Sequence, residues 1–307
     1  MLVSIIIASK NEGDLLRQTI DSIQSSKNNT DYEIVIVDDG SDDDSASFLT
    51  IEAYHNIKYI KTDGIGLACA RNAGTVEASG DIFIFCDAHI EVPDYWVDIL
   101  TSVITSENAD GVCPCIADLK KDDKSAWYKI DNCINSWSRI DERCGKTIAS
   151  LTKSSWLPPQ EQAFEVPVLP GGCFAVTRKA FETVGGYENG LRTYGWDEEE
   201  ISVKLWTFGF VLKAVPQVTI KHYFRAVMPY TVPNQDVLYN LIYLAMCHYS
   251  DRRVEILMEE LKMVFPKSEY LYQQIFTPQN IQNKRKFYQD KRFYTDDWFF
   301  NKFNLQV

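Results

Sequence analysis

The sequence predicts an α/β protein whose mainly parallel sheet is flanked by helices on both faces. Short apolar runs rich in β-branched residues alternate with amphipathic segments over residues 1–110, which is the order typical of this class. The runs are continuously apolar rather than alternating, as expected of parallel strands buried on both faces. After residue 236 the chain changes to amphipathic segments rich in Tyr, Phe and Lys, which predicts a C-terminal helical appendage.

The first 110 residues contain the regular alternation. Each predicted strand is dominated by apolar β-formers, and each predicted helix has apolar residues three or four positions apart. The predicted strands are Val3–Ala8, Glu33–Val37, Ile57–Lys61 and Ile82–Cys86. The predicted helices are Asp14–Ser25, Asp44–Tyr54, Leu67–Ala78 and Trp96–Ser106. This order favours crossover helices on both faces of a parallel sheet.

The second half of the chain is less regular. The alternation of predicted strands and helices ends after Val112. Residues 118–165 are charged, contain Trp127, Trp137 and Trp156, and lack hydrophobic periodicity. We expect this segment to be an insertion that forms a lid or a binding platform, unless its Trp residues pack in the core. The later predicted elements are a strand at Gly171–Val176, helices at Arg178–Val184 and Asp197–Phe208, short strands at Val211–Val215 and Val218–Ile220, and helices at Val237–His248 and Arg253–Phe265.

These elements predict one domain with an appendage. We expect a sheet domain over residues 1–235, made of a first half at 1–110 and a second half at 111–235, followed by a helical region at 236–307. The helical region packs either on the sheet domain or on a second copy of the chain. The sequence therefore allows a homodimer through these helices.

Charge and cysteine content exclude some partners and predict a compartment. The net charge of −12 argues against nucleic acid and anionic membranes, because phosphate backbones need basic surface. The chain opens on an apolar strand-like run without a basic segment, and it has no apolar run of membrane-spanning length, so we expect neither a signal peptide nor a membrane span. Eight scattered cysteines without paired zinc-site spacing predict reduced thiols and a cytoplasmic location.

The segment Asp87-Ala88-His89 follows the fourth predicted strand. Ligands bind at the carboxyl ends of strands in open α/β sheets. Asp87 and His89 are two positions apart, so an extended backbone turns both side chains to one side. A carboxylate and an imidazole together can bind a divalent metal, which in turn binds a diphosphate. A polar turn after a buried strand is the alternative interpretation.

Two further motifs follow predicted strands. The turn at Asp38–Ser41 contains Asp39, a carboxylate that can accept hydrogen bonds from a ribose or a base. Taken alone, the motif favours the alternative of an ordinary Asp-Gly turn. Gly66 and Arg71 belong to a Gly-rich turn that opens a helix and resembles half of a dinucleotide fingerprint. It predicts backbone approach to a nucleotide, with Arg71 reaching a phosphate or ordering a carboxylate. A plain Gly turn is the alternative.

The acidic run from Asp197 to Glu200 begins a predicted helix. Acidic residues stabilise a helix N-terminus, so a solvated first turn is one interpretation. However, Asp197 and Glu198 lie four and three positions before Ile201 on the apolar face. An inward-facing carboxylate there is a candidate general base with a raised pKa.

His222 follows the last predicted strand and is one of only four histidines. A lone histidine after a strand is more often structural than a ligand. If it returns to the sheet edge near Asp87, it completes a site of one carboxylate and two imidazoles. Such a donor set favours Mn²⁺ over Mg²⁺, which prefers oxygen ligands.

In this order the motifs resemble glycosyltransferases of the GT-A fold, in the large family-2 group, over residues 1–225. The segments Val3–Glu12 and Val37–Ser41 are similar to the donor-binding half of that group. The resemblance implies a Rossmann-like nucleotide-binding sheet, with Asp39 contacting uracil and Arg71 near the nucleotide. It implies these donor contacts: Ala8, Ser9, Glu12, Asp39, Gly66, Arg71, Asp87, Ala88, Gly171 and Gly172.

The Asp-x-His sequence departs from the usual Asp-x-Asp of the group and resembles the polypeptide N-acetylgalactosaminyltransferases. Those enzymes also have a later histidine ligand, a Gly-Gly strand and a Trp–Gly–acidic helix. This resemblance implies Mn²⁺ (or Mg²⁺) bound by Asp87, His89 and His222. The order also resembles the β-1,4-galactosyltransferases, whose pattern assigns an inverting base to Glu198.

The resemblance implies metal-dependent transfer of a sugar from a UDP-sugar to a hydroxyl or thiol of a saccharide, peptide or small molecule. Glu198 would deprotonate the acceptor if the anomeric centre inverts, and would contact sugar or acceptor if configuration is retained. Asp197 would bind sugar hydroxyls, and Gly171 and Gly172 would let the backbone approach the sugar. The alternatives are a sugar nucleotidyltransferase and a non-catalytic carbohydrate-binding protein. We expect a bacterial cytoplasmic relative without a lectin domain or membrane anchor.

Overall fold

A computed structural model describes residues 1–50, 54, 56–119, 128–130, 155–157, 161–225, 227–265, 267–276 and 279–305. The predicted α/β class is confirmed, because helices cover a large mixed sheet. The strands are β1 (Leu2–Ser9), β2 (Asp31–Asp39), β3 (Lys58–Thr62), β4 (Ile82–Asp87), β5 (Ile90–Glu91), β6 (Gly111–Asp118), β7 (Tyr128–Ile130), β8 (Ser155–Leu157), β9 (Phe164–Glu165), β10 (Cys173–Thr177) and β11 (Leu212–His222). The helices are α1 (Asp14–Ser25), α2 (Leu67–Glu77), α3 (Trp96–Ser106), α4 (Arg178–Thr183), α5 (Asp197–Thr207), α6 (Asn234–His248), α7 (Asp251–Val264), α8 (Ser268–Phe276), α9 (Gln279–Lys291) and α10 (Asp296–Lys302).

The sheet has the strand order β3-β2-β1-β4-β10-β6-β11-β5. It is parallel from β3 to β4 and again between β6 and β11. It is not parallel throughout, because β10 enters between β4 and β6 in the opposite direction. The first residue of β10 therefore lies beside the last residues of β4. This reversal brings Gly171 and Gly172, which precede β10, to the carboxyl end of β4.

The core lies on both faces of the sheet. Along β1, Ile5 and Ile7 face the layer that contains α1 and α3, whereas Ile6 faces the layer that contains α2, α4 and α5. Both faces of this strand are fully buried, which explains why the sequence has a continuous apolar run rather than an alternation.

The structure differs from the prediction in three regions. Within the described part of the predicted helix at 44–54, which leaves out residues 51–53, residues Ser47–Thr50 form a short 3₁₀ helix. Asp43 accepts hydrogen bonds from the Ser45 amide and hydroxyl and holds a local turn there. The two short strands after residue 211 are one strand, β11, with a register shift around Pro216, which has no amide hydrogen. Strand β6 is not predicted, since Pro114 interrupts its apolar pattern.

The C-terminal region is helical, as predicted, and is tightly packed. Helix α6 is buried along most of its length, and its His248 contacts Glu200 of α5. Among the described residues, no helix combines the length and apolarity that a membrane crossing requires. The predicted lid or platform at 118–165 lies largely outside the described residues; strands β7 and β8 within it pair with each other.

Candidate active site

A cleft of about 940 Å³ opens at the carboxyl ends of β1, β2 and β4. The start of β10, the N-terminus of α5 and the segment after β11 complete its walls. Every predicted site residue lines the cleft except Arg71 and Asp197. The predicted residues that line it are Ala8, Ser9, Glu12, Asp39, Gly66, Asp87, Ala88, His89, Gly171, Gly172, Glu198 and His222.

Asp87, His89 and His222 converge in this cleft. One potential ligand atom from each lies within 4.8 Å of the others. Nε2 of His222 lies 3.1 Å from Oδ2 of Asp87, and Nε2 of His89 lies 3.8 Å from the same oxygen. Two ligands that are each about 2.1 Å from one ion are at most about 4.2 Å apart. Both distances to Asp87 meet this limit, and all three ligand atoms lie close enough together to be candidate ligands of one divalent cation.

Strand pairing explains how residues so far apart in sequence meet. β5 pairs with the end of β11, so that His222 lies opposite Ile90. The Tyr223 amide donates to the carbonyl of His89 over 3.0 Å. The two imidazole rings consequently lie side by side, with centroids 4.7 Å apart.

Glu12 orients the first of these imidazoles. Its Oε2 lies 3.1 Å from Nδ1 of His89, which leaves Nε2 directed towards Asp87. A carboxylate on the second ring nitrogen is the usual support of a metal-binding histidine. Arg225 pairs with the same carboxylate and lines the cleft. Arg225 is a site residue that was not predicted, although it lies only three positions after His222.

Asp87 is held in its ionised form. Burial opposes ionisation, but the hydrogen bond with His222 and the charges of His89 and Arg71 together hold its pKa below the usual range. An ionised carboxylate is the form that binds a cation.

The structure decides between the two roles predicted for Arg71 and corrects the one predicted for Asp197. Arg71 is only 1% exposed, and it pairs with Asp197 over 2.6 Å. It therefore orders a carboxylate, as one of the two predictions has it, and does not reach a phosphate in the cleft. Asp197 is likewise buried, at 3% exposure, so it does not offer its carboxylate to sugar hydroxyls. Burial raises its pKa to about 6 against the opposing charge of Arg71. The buried guanidinium attracts the first residue of α5 inward, while Glu198, the next residue, faces the cleft.

Gly171 and Gly172 make room for two site side chains. A Cβ atom at Gly171 would lie 2.6 Å from Oε1 of Glu198, and one at Gly172 would lie 3.1 Å from Cδ2 of His222. Close approach of the sugar to these glycines stays a prediction. In the structure, glycine at each position is what lets a functional side chain pack against the backbone.

Asp39 organises the turn after β3. Its carboxylate accepts hydrogen bonds from the Thr62 hydroxyl over 2.7 Å and from the amides of Ile65 and Gly66 over 2.6 and 2.9 Å. These bonds account for most of its acceptor capacity. Contact between Asp39 and uracil stays a prediction.

Comparison with known families agrees with this geometry. A model described as "Glycosyl transferase family 2" matches residues 4–185. The chain belongs to that family. A second model, described as "N-terminal domain of galactosyltransferase", matches residues 157–227, which include the Gly pair, the acidic helix and His222. The resemblance that the motifs predict is thereby confirmed.

Several characterised proteins are similar to the chain. It is 30% identical to polypeptide N-acetylgalactosaminyltransferase 10 of Rattus norvegicus over 286 residues, which covers 88% of the chain and 43% of that protein. It is 31% identical to polypeptide N-acetylgalactosaminyltransferase 3 of Drosophila melanogaster over 250 residues, covering 75% and 36%. The chain thus spans less than half the length of these relatives. Both relatives are animal proteins, so the bacterial source and cytoplasmic location stay predictions.

Solved structures show the same fold. The crystal structure of GalNAc-T7 with UDP, GalNAc and Mn²⁺ superposes with a TM-score of 0.73 at 22% identity, covering 99% of this chain and 56% of that one. The structure of TarS from S. aureus with UDP-GlcNAc gives a TM-score of 0.55 at 14% identity, covering 93% and 78%. The GT-A fold predicted by resemblance is confirmed.

Proposed function

We propose that this chain is a metal-dependent glycosyltransferase that moves a sugar from a UDP-sugar to a hydroxyl or thiol acceptor. The observation that carries the proposal is the convergence of Asp87, His89 and His222 in the cleft. Family membership and the similarity to N-acetylgalactosaminyltransferases support it.

The donor atoms fit Mn²⁺ better than Mg²⁺. One carboxylate oxygen and two imidazole nitrogens form a mixed set, whereas Mg²⁺ prefers oxygen ligands throughout. A bound divalent cation neutralises the charge that develops on the departing diphosphate. Asp87, His89 and His222 would hold the ion, and Glu12 fixes the orientation of His89. Arg225 adds a second positive group to the same wall of the cleft.

Glu198 faces the cleft beside Gly171. Its carboxylate is half-buried at the positive N-terminus of α5. With inversion at the anomeric carbon, Glu198 removes the proton of the acceptor hydroxyl or thiol. With retention, the same carboxylate binds the sugar or the acceptor. Measuring the anomeric configuration of the product distinguishes these two roles.

UDP-N-acetylgalactosamine is the first donor to test, because the similar proteins are named for transfer of N-acetylgalactosamine. We propose saccharides and peptides as acceptors. UDP release with UDP-sugar and Mn²⁺, but not with Mn²⁺ omitted, supports transfer. Turnover that requires UTP identifies a nucleotidyltransferase instead. Binding without turnover across donors and acceptors identifies a carbohydrate-binding protein.

The matched control for this assay is a glutamate that does not face the cleft. Glu182 lies on the exposed side of α4 and pairs with Arg178. Glu182→Gln should retain UDP release, whereas Glu198→Gln should reduce it, most strongly if the product is inverted. Equal rates for the two variants contradict the assignment of Glu198.

A further inference from the structure

Arg71 is a fully buried cation that contacts three segments of the site. Nη1 donates to Oδ2 of Asp197 over 2.6 Å, and Nη2 lies 3.3 Å from Oδ1 of Asp87. The same Nη2 donates to the carbonyl of Gly171 over 2.8 Å. Arg71 therefore joins the N-terminus of α5, the end of β4 and the segment before β10.

These contacts divide the two oxygens of Asp87 between different partners. Oδ1 faces Arg71, and Oδ2 faces His222 and His89. The guanidinium consequently fixes which oxygen is directed towards the candidate cation. A planar fork with several donors can hold this arrangement, whereas a single ammonium group cannot.

Asp197 balances the charge of Arg71. A buried cation next to a metal ligand repels a divalent ion unless a nearby anion compensates it. Asp197 supplies that anion from outside the cleft, since it does not line the cavity. Without it, the guanidinium would keep the Gly171 carbonyl and the Asp87 carboxylate as partners, and it would compete with the cation for that carboxylate.

We propose that Asp197 and Arg71 form a buried relay that positions Asp87 for metal binding. Asp197 is thus a positioning residue that acts through Arg71 and touches neither sugar nor cation. The inference rests on the proposed function, because it assumes that Asp87 binds the metal. It assigns to the first acidic residue of α5 a role distinct from that of Glu198.

The test is the dissociation constant for Mn²⁺ alone, measured on the full chain from the EPR signal of free Mn²⁺. We expect Asp197→Asn to raise this constant about 10-fold or more, which is the effect typical of removing a partner of a metal ligand. Arg71→Lys keeps the buried charge but loses the fork, and we expect a similar rise. It also serves as the second variant if Asp197→Asn does not fold.

The matched control is Glu200→Gln. Glu200 lies one turn further along α5, is fully buried, and pairs with Lys204 and His248. Glu200→Gln makes the same change from carboxylate to amide. It should lower the melting temperature of the protein without changing its Mn²⁺ affinity. This control separates general loss of stability from a specific effect on Asp87.

An Mn²⁺ dissociation constant for Asp197→Asn within about twofold of the wild-type value overturns the relay. If the wild-type protein binds no Mn²⁺ either alone or with UDP, the proposed function fails, and the crystal structure of Asp197→Asn decides the inference separately. A rotated Asp87 carboxylate and a shifted Gly171 carbonyl then support the relay. An unchanged Asp87 and Gly171 overturn it.

Discussion

Replacing Gly171 with alanine should displace the proposed base without unfolding the protein. The new Cβ would lie 2.6 Å from Oε1 and 2.9 Å from Cδ of Glu198. Ordinary contacts between heavy atoms are about 3.5 Å, so the carboxylate must move by about 0.9 Å. Since misplacement by about 1 Å can reduce a rate about 100-fold, we expect kcat to fall by about 10- to 100-fold.

The assay is UDP release at saturating Mn²⁺ and UDP-sugar, combined with a melting curve and an Mn²⁺ titration. The atom displaced is the far end of a flexible side chain, so the melting temperature should change little. Mn²⁺ affinity should stay within about twofold of wild type, because Gly171→Ala leaves Asp87 in place.

Gly172→Ala is the matched comparison. Its Cβ would lie 3.1 Å from the His222 ring and 3.2 Å from Ile116. We expect this neighbouring substitution to weaken Mn²⁺ binding instead. Wild-type kcat in Gly171→Ala, or equal effects of the two variants on Mn²⁺ affinity, would refute the reasoning.

Three other predictions follow from the structure, two on the cleft and one on Glu188, which is buried against the C-terminal helices. Glu198→Gln should lower kcat by about 100- to 10,000-fold if the product is inverted, with unchanged Mn²⁺ affinity; an active variant that inverts excludes it as the base. His222→Ala should abolish Mn²⁺-dependent turnover while circular dichroism shows an intact fold; full activity at limiting Mn²⁺ excludes it as a ligand. Burial opposes ionisation of Glu188, yet Lys204 and Lys284 help to hold its pKa at about 2. Because this pKa is lowered, ionised Glu188 stabilises the fold above about pH 5, and that contribution disappears as pH falls towards 2. The free energy of unfolding of Glu188→Gln, measured in urea, should therefore be about 3 kcal/mol below that of wild type at pH 7. The difference should be smaller at pH 4. The same difference at both pH values contradicts the pKa assignment.

Much of the cleft was predictable because its chemistry follows strands in the sequence. Asp87 and His89 come directly after an apolar run, so the sheet rule places them at a ligand-binding edge. The prediction that His222 is a metal ligand required the family resemblance, because the sequence alone does not show that β5 and β11 pair. Once paired, these two strands bring the imidazoles together.

The contacts of Asp197 were not predictable in the same way. Helix periodicity places Asp197 and Glu198 on either flank of Ile201, four and three positions before it, and it does not say which carboxylate faces the cleft. A buried arginine 126 positions earlier along the chain decides the orientation. The reversed direction of β10 was equally hidden, since a short apolar strand has the same composition in either direction.

The proposed activity depends on one aspartate and two histidines binding a single cation that contacts UDP. A crystal grown with UDP and Mn²⁺, with data collected above the manganese absorption edge, would locate this cation. We expect one anomalous peak about 2.2 Å from Oδ2 of Asp87 and from Nε2 of both His89 and His222, next to the diphosphate. A bound UDP with no such peak, or His222 rotated away from Asp87, would contradict it.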